Sequence, residues 1–346
     1  MHILVTNDDG PPSADSSPYL LPFIRHLESA GHLVSVCIPS TQRSWIAKAH
    51  IVGQDVRALP FLPSPFSIPS IAPTANQSGT PSRPWFTLNS TPASCAQVGL
   101  HHLFSPATSG LPKVDLVVSG PNYGRNTTAC FALSSGTLGA ALEAAVTGYR
   151  AVAVSFAFTN RENRAEHVEA ACRVGVKVVE YLADKGEWGA PCAVLRAGAS
   201  EEAEARGNPG GVVFSVNVPV REDVEGREVR WTQMLQNGWG SSCFEEHRAE
   251  EGGRVEEEGP GEVEREIREG EVEGEEKGSG GVEKEVVKGK GERHFKWSPK
   301  FTDVYESVRR AGEGSDGWAV SEGHTSVTML RANFMHVDGG KGLIKL

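Results

Sequence analysis

Short apolar runs alternate with helical spacing over the first two thirds of the chain. Ile3-Leu4-Val5 runs into the polar turn Asn7-Asp8-Asp9-Gly10, and Leu20, Phe23, Ile24 and Leu27 between Tyr19 and Ala30 repeat at helical intervals before Gly31. Leu33 to Ile38 is a second apolar run, closed by Pro39. Strand, helix and strand in such short compass is a βαβ unit, which favours a parallel sheet. The same alternation continues: Val114 to Val118 as a buried strand, Leu138, Ala141, Leu142, Ala145, Val146 and Tyr149 as one helix face, and Ala151 to Phe156 as a strand. Val168, Ala171, Cys172, Gly175, Val176, Val179 and Leu182 predict a second strong helix, and Gly211 to Val218 a further strand. The expected fold class over 1–218 is therefore α/β.

Two stretches break the pattern. Ala58 to Pro84 is rich in Pro, Ser and Thr and reads as an insertion, 58–84. Glu245 to Arg293 has 18 Glu, 9 Lys+Arg and 11 Gly, too few large apolar groups to offset the entropy of ordering, and predicts a disordered acidic insertion over 245–293. Val229 to Cys243 suits an extended arm or hairpin, Trp297 to Arg309 a helix, and Gly317 to Leu330 a returning strand. The domain expected is thus single over 1–346, with 219–346 as a C-terminal arm and closing segment that the acidic stretch interrupts.

The formal net charge of −10 belongs almost wholly to that stretch; the remainder has 26 acidic against 25 basic residues. With no basic excess, no nucleic-acid polymer is expected as a partner. No apolar run reaches the ~18 residues of a membrane span, and Met1 to Val5 is too short for a signal-peptide core. A cytoplasmic location follows as the default. Six scattered cysteines without a C-x-x-C pair read as reduced, mostly buried thiols.

Four polar segments fall where parallel strands would end. Asp8 and Asp9 follow the first strand, where adjacent carboxylates call for a cation or a shared proton; an ordinary Asp-Asp-Gly turn is the alternative. Ser40 to Lys48 follows the second strand, with Ser44 able to present an oxygen, or is a plain polar loop. Asn122 and Asn126, in Ser119 to Asn126, offer amide oxygens to a metal and amide donors to phosphate, or shape an Asn/Gly turn. Ser134-Ser135-Gly136-Thr137 opens a helix, where free N–H groups suit an anion, or serves as a cap without ligand. Acidic oxygens and N–H donors at one sheet edge describe metal-assisted phosphoryl chemistry. The signatures of P-loop, dinucleotide, serine-hydrolase and zincin sites are missing.

These residues resemble the signature of the SurE family of survival-protein nucleotidases. Ile3 to Gly10, Arg43-Ser44, Val117 to Asn126, Ser135-Gly136-Thr137 and Asn217-Val218-Pro219 match it in order, as do Thr302-Asp303, Ser315 to Val320 and Ser326 to Thr328 near the end. The likeness is to the fungal branch, sometimes called acid phosphatases. It implies a Rossmann-like, mostly parallel sheet with helices on both faces, plus a C-terminal arm or hairpin that swaps between subunits of a homodimer or homotetramer. It also implies a hydrolase acting on phosphoric monoesters, nucleoside 5′- and 3′-monophosphates, with Mg²⁺ or Mn²⁺ as cofactor. By motif, Asp8, Asp9, Ser44 and Asn122 would be metal ligands, Asp8 and Asp9 the catalytic pair, and Asn126, Ser135, Gly136 and Thr137 the phosphate site. The rival expectation is a nucleotide-binding or regulatory protein without turnover. Three departures stand out: Pro11 to Asp15 replaces an Ala-Pro-Gly turn, Trp45 replaces Gly after the loop serine, and 58–84 and 245–293 are insertions.

Overall fold

In a computed structural model of the chain, residues 1–63, 85–158, 163–189, 205–247 and 293–334 are described. Most of both insertions, 64–84 and 248–292, lies outside the described residues.

The apolar runs become the middle of a nine-stranded sheet. β1 (His2–Thr6), β2 (Leu33–Pro39), β4 (Trp85–Leu88), β5 (Leu116–Tyr123), β6 (Ala151–Phe158) and β7 (Val212–Val220) are all parallel. With β3 (Ala58–Phe61), β8 (Val229–Thr232) and β11 (Thr325–Arg331), their order is β3-β4-β2-β1-β5-β6-β7-β11-β8. β3 is antiparallel to β4, and β11 is antiparallel to β7 and parallel to β8. The strand order reverses direction between β1 and β5, the switch point beyond which open α/β sheets bind ligands.

Alternation along each strand splits the core between two faces. Ile3, Val5, Val118, Phe156 and Val216 lie under α1 (Leu20–Ser29) and α6 (Ala165–Lys185). Leu4, Val117, Ala151, Ala153 and Val213 lie under α2 (Pro92–Val98) and α5 (Gly136–Val146). Burying one such large side chain contributes about 1.5–3 kcal/mol. α2 widens into a π-helical turn at Gly99–Leu103, followed by the single turn α3 (Pro106–Ser109). This is the Rossmann-like α/β sheet with helices on both faces that the sequence implies.

Beyond β7 the expectations need correction. Val229 to Cys243 is neither wholly arm nor hairpin, because β8 joins the edge of the main sheet beside β11. The hairpin is made later, by β9 (Phe244–His247) with β10 (His294–Trp297), which frame the acidic stretch. The helix expected from Trp297 is α7 (Thr302–Ala311), and Gly317 begins no strand: α8 (Asp316–Ser321) precedes β11. Ser315 caps α8 by accepting the Trp318 N–H at 3.2 Å. Ala58–Phe61, which the sequence reading places in the first insertion, is a strand. Among the described residues Cys37, Cys95, Cys130, Cys172 and Cys243 are free thiols, the first four buried, and no single helix is long and apolar enough to cross a membrane.

Candidate functional site

The turn after β1 is built by Asn7. Its Nδ2 donates to Gly10 O at 2.8 Å and its Oδ1 accepts the Gly10 N–H at 3.2 Å. Gly10 needs its positive φ of 81°, and a Cβ there would stand 3.2 Å from the Thr41 backbone. The turn leaves Asp8 and Asp9 side by side at the sheet's carboxyl edge, 3 % and 1 % exposed.

Three other segments converge on this pair. Thr137 Oγ1 donates to Asp8 Oδ1 at 2.6 Å, and the Tyr123 N–H donates to Asp9 Oδ2 at 2.7 Å. The Arg43 N–H donates to Asp8 O at 2.7 Å, which brings the Ser44 loop alongside. A Cβ on Gly136 would fall 2.8 Å from Asp8 Cβ, so only glycine lets the start of α5 come this close to the carboxylates.

Asn122 reaches the site through an irregular strand end. β5 continues through Ser119-Gly120-Pro121-Asn122, past Val118 where the sequence pattern ends the strand, and shifts its register against β6 between Ser119 and Asn122. Gly120 has φ 117°, and a Cβ there would lie 2.0 Å from Val154 O. Asn122 Nδ2 donates to Gly124 O at 2.8 Å. Ser44 Oγ accepts from Gln42 Nε2 at 3.1 Å.

The Ser44 loop is pinned to α5 by a glutamate that sequence reasoning missed. Lys48 Nζ lies 2.6 Å and His50 Nε2 3.3 Å from Glu143 Oε2, while Gln97 Nε2 donates to Oε1 at 2.5 Å. Ala47 N–H donates to Ser134 O at 3.0 Å, and a Cβ on Gly139 would meet Ala47 O at 2.3 Å. Burial pushes the Glu143 carboxyl up, but hydrogen bonds from Lys48 and Gln97 and the charges of Lys48 and His50 outweigh it, holding the group below its ordinary value. Because the folded value is the lower one, the pair's stabilisation is complete above the ordinary value of 4.5 and is lost as pH falls through the folded value. Glu143→Gln is expected to lower stability by about 1–2 kcal/mol at neutral pH, discounted for the exposed Lys48. Urea unfolding of both proteins over a pH series checks this: the gap should close in acid.

Not every candidate sits at the carboxylate pair. Asn126 is held one strand further along, its N–H donating to Asn217 Oδ1 at 2.8 Å and its Nδ2 to Ser155 Oγ at 2.9 Å. Ser135 Oγ caps α5 by accepting the Leu138 N–H at 3.1 Å. Beyond the ends of β6 and β7 a cavity of about 540 Å³ opens between Arg125, Phe158, Arg221 and Val320. Trp45 forms an aromatic wall with Phe131, Trp297 and Phe301, ring centroids 5.5–6.1 Å from its own.

The segment after β8 packs on α4 (Thr128–Ser134). Leu235 O accepts the Ala129 N–H at 2.9 Å and Asn237 Oδ1 the Cys130 N–H at 3.1 Å. Asp316, 1 % exposed, accepts the N–H groups of Thr128, Leu235 and Gly317 at 2.9, 3.1 and 2.7 Å. Burial pushes its carboxyl up, and these backbone donors only partly offset that.

Residues 3–241 match the family model described as Survival protein SurE. The chain belongs to the SurE family. A 5′-nucleotidase SurE of Desulfatibacillum aliphaticivorans is 32% identical, over 69% of this chain and 72% of that protein. A Saccharomyces cerevisiae protein named Probable tubulin–tyrosine ligase PBY1 is 29% identical over 100% of this chain but only 43% of its own length. A third relative, the 5′-nucleotidase SurE of Geobacter sp. (strain M21), is 31% identical and matched over 61% of its length. The chain thus spans less than two thirds of the length of several relatives it matches. Among solved structures, the SurE protein from Aquifex aeolicus superposes with a TM-score of 0.58 at 19% identity, covering 97% of this chain and 95% of that one. That likeness establishes the SurE fold, with the Asp8–Asp9 turn at its switch point.

Proposed function

We propose that this chain is a divalent-metal-dependent phosphomonoesterase that hydrolyses nucleoside 5′- and 3′-monophosphates. The observation that carries the reading is the burial of Asp8 and Asp9 against the glycine-opened start of α5. Two neighbouring carboxylates favour a bound cation, and the first N–H groups of a helix favour an anion. The names of the bacterial relatives, 5′-nucleotidase SurE, support the same substrate class.

The donor set fits Mg²⁺ or Mn²⁺: Asp8, Asp9, Ser44 and Asn122 offer only oxygens, two of them charged. Among the described residues no three His, Cys, Asp or Glu side chains gather into another metal group. A cation there would supply Lewis-acid polarisation of a phosphoryl oxygen. Gly136 and Thr137 would bind the phosphate through N–H groups at the start of α5, with Ser135 and Asn126 at the rim. Thr137, through its hydroxyl on Asp8, would fix the carboxylate relative to the phosphate. Asp9, held by the Tyr123 N–H, would complete the catalytic pair. The cavity beside Arg125 lies within the 300–1,000 Å³ usual for small ligands and suits the organic part of the substrate.

We read residues 1–346 as one SurE-like domain, supported by β11 and β8 completing the sheet that 1–218 begins. A cytoplasmic homodimer or homotetramer is the assembly that accompanies this reading. The test is phosphate release from a panel of nucleoside 5′- and 3′-monophosphates after EDTA treatment, with Mg²⁺ or Mn²⁺ then restored. Release should vanish with EDTA and return with metal. Folded protein that is stabilised by nucleotides but releases no phosphate under any cation would replace this reading with the nucleotide-binding one.

A further inference from the structure

Glu143 is a buried carboxylate outside both the cation and the phosphate groups of the site. It is 5 % exposed and stands two turns along α5 from Gly136. Gly136, Gly139 and Glu143 are spaced i, i+3 and i+7, so they share one face of the helix. The loop after β2 runs along that face in order. A Cβ on Gly136 would stand 3.0 Å from Ile46 Cγ2, and one on Gly139 would meet Ala47 O at 2.3 Å. Glu143 then takes Lys48 at 2.6 Å and His50 at 3.3 Å. α2 closes the other side. Gln97 Nε2 donates to Glu143 Oε1 at 2.5 Å, Thr91 Oγ1 donates to Ala49 O at 2.6 Å, and His50 Nδ1 lies 3.0 Å from Ser94 Oγ.

The loop needs this grip, because its backbone is strained beside Ser44. Trp45 and Ala47 hold left-handed φ values of 60° and 55°. Residues with a Cβ keep that conformation only where the surroundings over-determine it, and such strain gathers at functional sites. The Ala47 N–H, donating to Ser134 O, fixes one of the two at the start of α5. The Glu143 contacts begin at the next residue. A carboxylate is costly to bury and needs partners that compensate its charge. Here both basic partners, Lys48 and His50, belong to the loop that carries Ser44.

We propose that Glu143 is a positioning residue for the reaction: by holding Lys48 and His50 on α5 it sets the strained turn at 45–47, and so keeps the Ser44 hydroxyl in place as a ligand for the cation. The inference rests on the phosphomonoesterase reading and deepens it, because the cation site then depends on a carboxylate that touches neither metal nor substrate. α5 thereby serves both halves of the site. Its start binds the anion, and its next two turns fix the loop that completes the cation site.

A merely structural role would lower stability and leave the metal affinity of the folded protein untouched, so the test is that affinity and its dependence on Ser44. Mn²⁺ is titrated calorimetrically into the full chain as wild type, Glu143→Gln, Ser44→Ala and the double variant, at a temperature where thermal unfolding shows each to be folded. The Mn²⁺ concentration for half-maximal phosphate release is measured beside it. E143Q is expected to weaken Mn²⁺ binding by about 10-fold or more, the scale of loss when a group that orients a metal ligand is removed. In the S44A background the same change should add no more than about twofold, because two groups that act through one ligand are not additive. Unchanged Mn²⁺ affinity in folded E143Q, or an equal loss with and without Ser44, would overturn the proposal. Should E143Q not fold, Lys48→Met, which breaks the same pair from its more exposed end, takes its place in the cycle with the same expectations. Wild type that neither binds Mn²⁺ nor releases phosphate from nucleotides would instead overturn the function on which the proposal rests.

Discussion

Asp8→Asn and Asp9→Asn are each expected to cut metal-dependent phosphate release by a factor on the order of 10²–10³ or more, the range seen when one charge-stabilising group is removed from an active site. Neither change should unfold the chain. An Asn at position 8 still offers an oxygen to the Thr137 hydroxyl, and an Asn at position 9 can accept the Tyr123 N–H. The variants should differ from wild type in how much stability metal adds. With metal, wild type gains stability by mass action, about 2.7 kcal/mol at a hundredfold excess over Kd, and the variants should gain far less. Thermal unfolding with EDTA and with Mg²⁺, alongside phosphate release, checks both. Full metal-dependent turnover in both variants would show that the carboxylate pair is not the site.

The parts of this molecule that were legible in its sequence are those fixed by local pattern. The central strands announce themselves because a parallel strand covered on both faces is nearly continuous in apolar residues, as in Leu116 to Val118. The site edge follows from them, since Asp8, Ser44 and Asn122 each come directly after such a run. What stayed hidden depends on partners distant in sequence or on local rules overridden by packing. The apolar pattern ends at Val118, yet the strand continues through Gly120-Pro121, because Gly120 adopts a φ of 117° and passes against Val154 O where no side chain would fit. Ser315 to Ser321 is too short for helical spacing to show, and its Gly317 argues against a helix. Glu143 looks like one polar position in an apolar helix until Lys48 and Gln97 are brought to it. Asn217 did carry a signal, an amide between Val216 and Val218 in a buried strand, but its partner Asn126 lies 91 residues away.

Asp316→Ala should destabilise the fold by about 2–5 kcal/mol, a large fraction of the 5–15 kcal/mol that separates a typical folded domain from its unfolded chain. The carboxylate is where three parts of the fold meet: α8 through Gly317, α4 through Thr128, and the segment after β8 through Leu235. Removing it leaves the Thr128 and Leu235 N–H groups inside the protein without acceptors, at about 1–3 kcal/mol each. Thr128 adds to the sensitivity, because it holds a left-handed φ of 68° that a non-glycine residue keeps only when its surroundings enforce it. The consequence should reach the site. α4 ends at Ser134, whose carbonyl accepts the Ala47 N–H of the loop that carries Ser44, and Phe131 of α4 packs on Trp45. Asp316→Asn should fall between the two, since one oxygen remains for Leu235 and Gly317 while an NH₂ group faces the Thr128 N–H. Urea unfolding midpoints should therefore rank wild type, N, A, and phosphate release at saturating Mg²⁺ should follow the same order. Equal midpoints for wild type and D316A would mean that the segment after β8 is held to α4 by its other contacts, Leu235 O and Asn237 Oδ1, and not by this carboxylate.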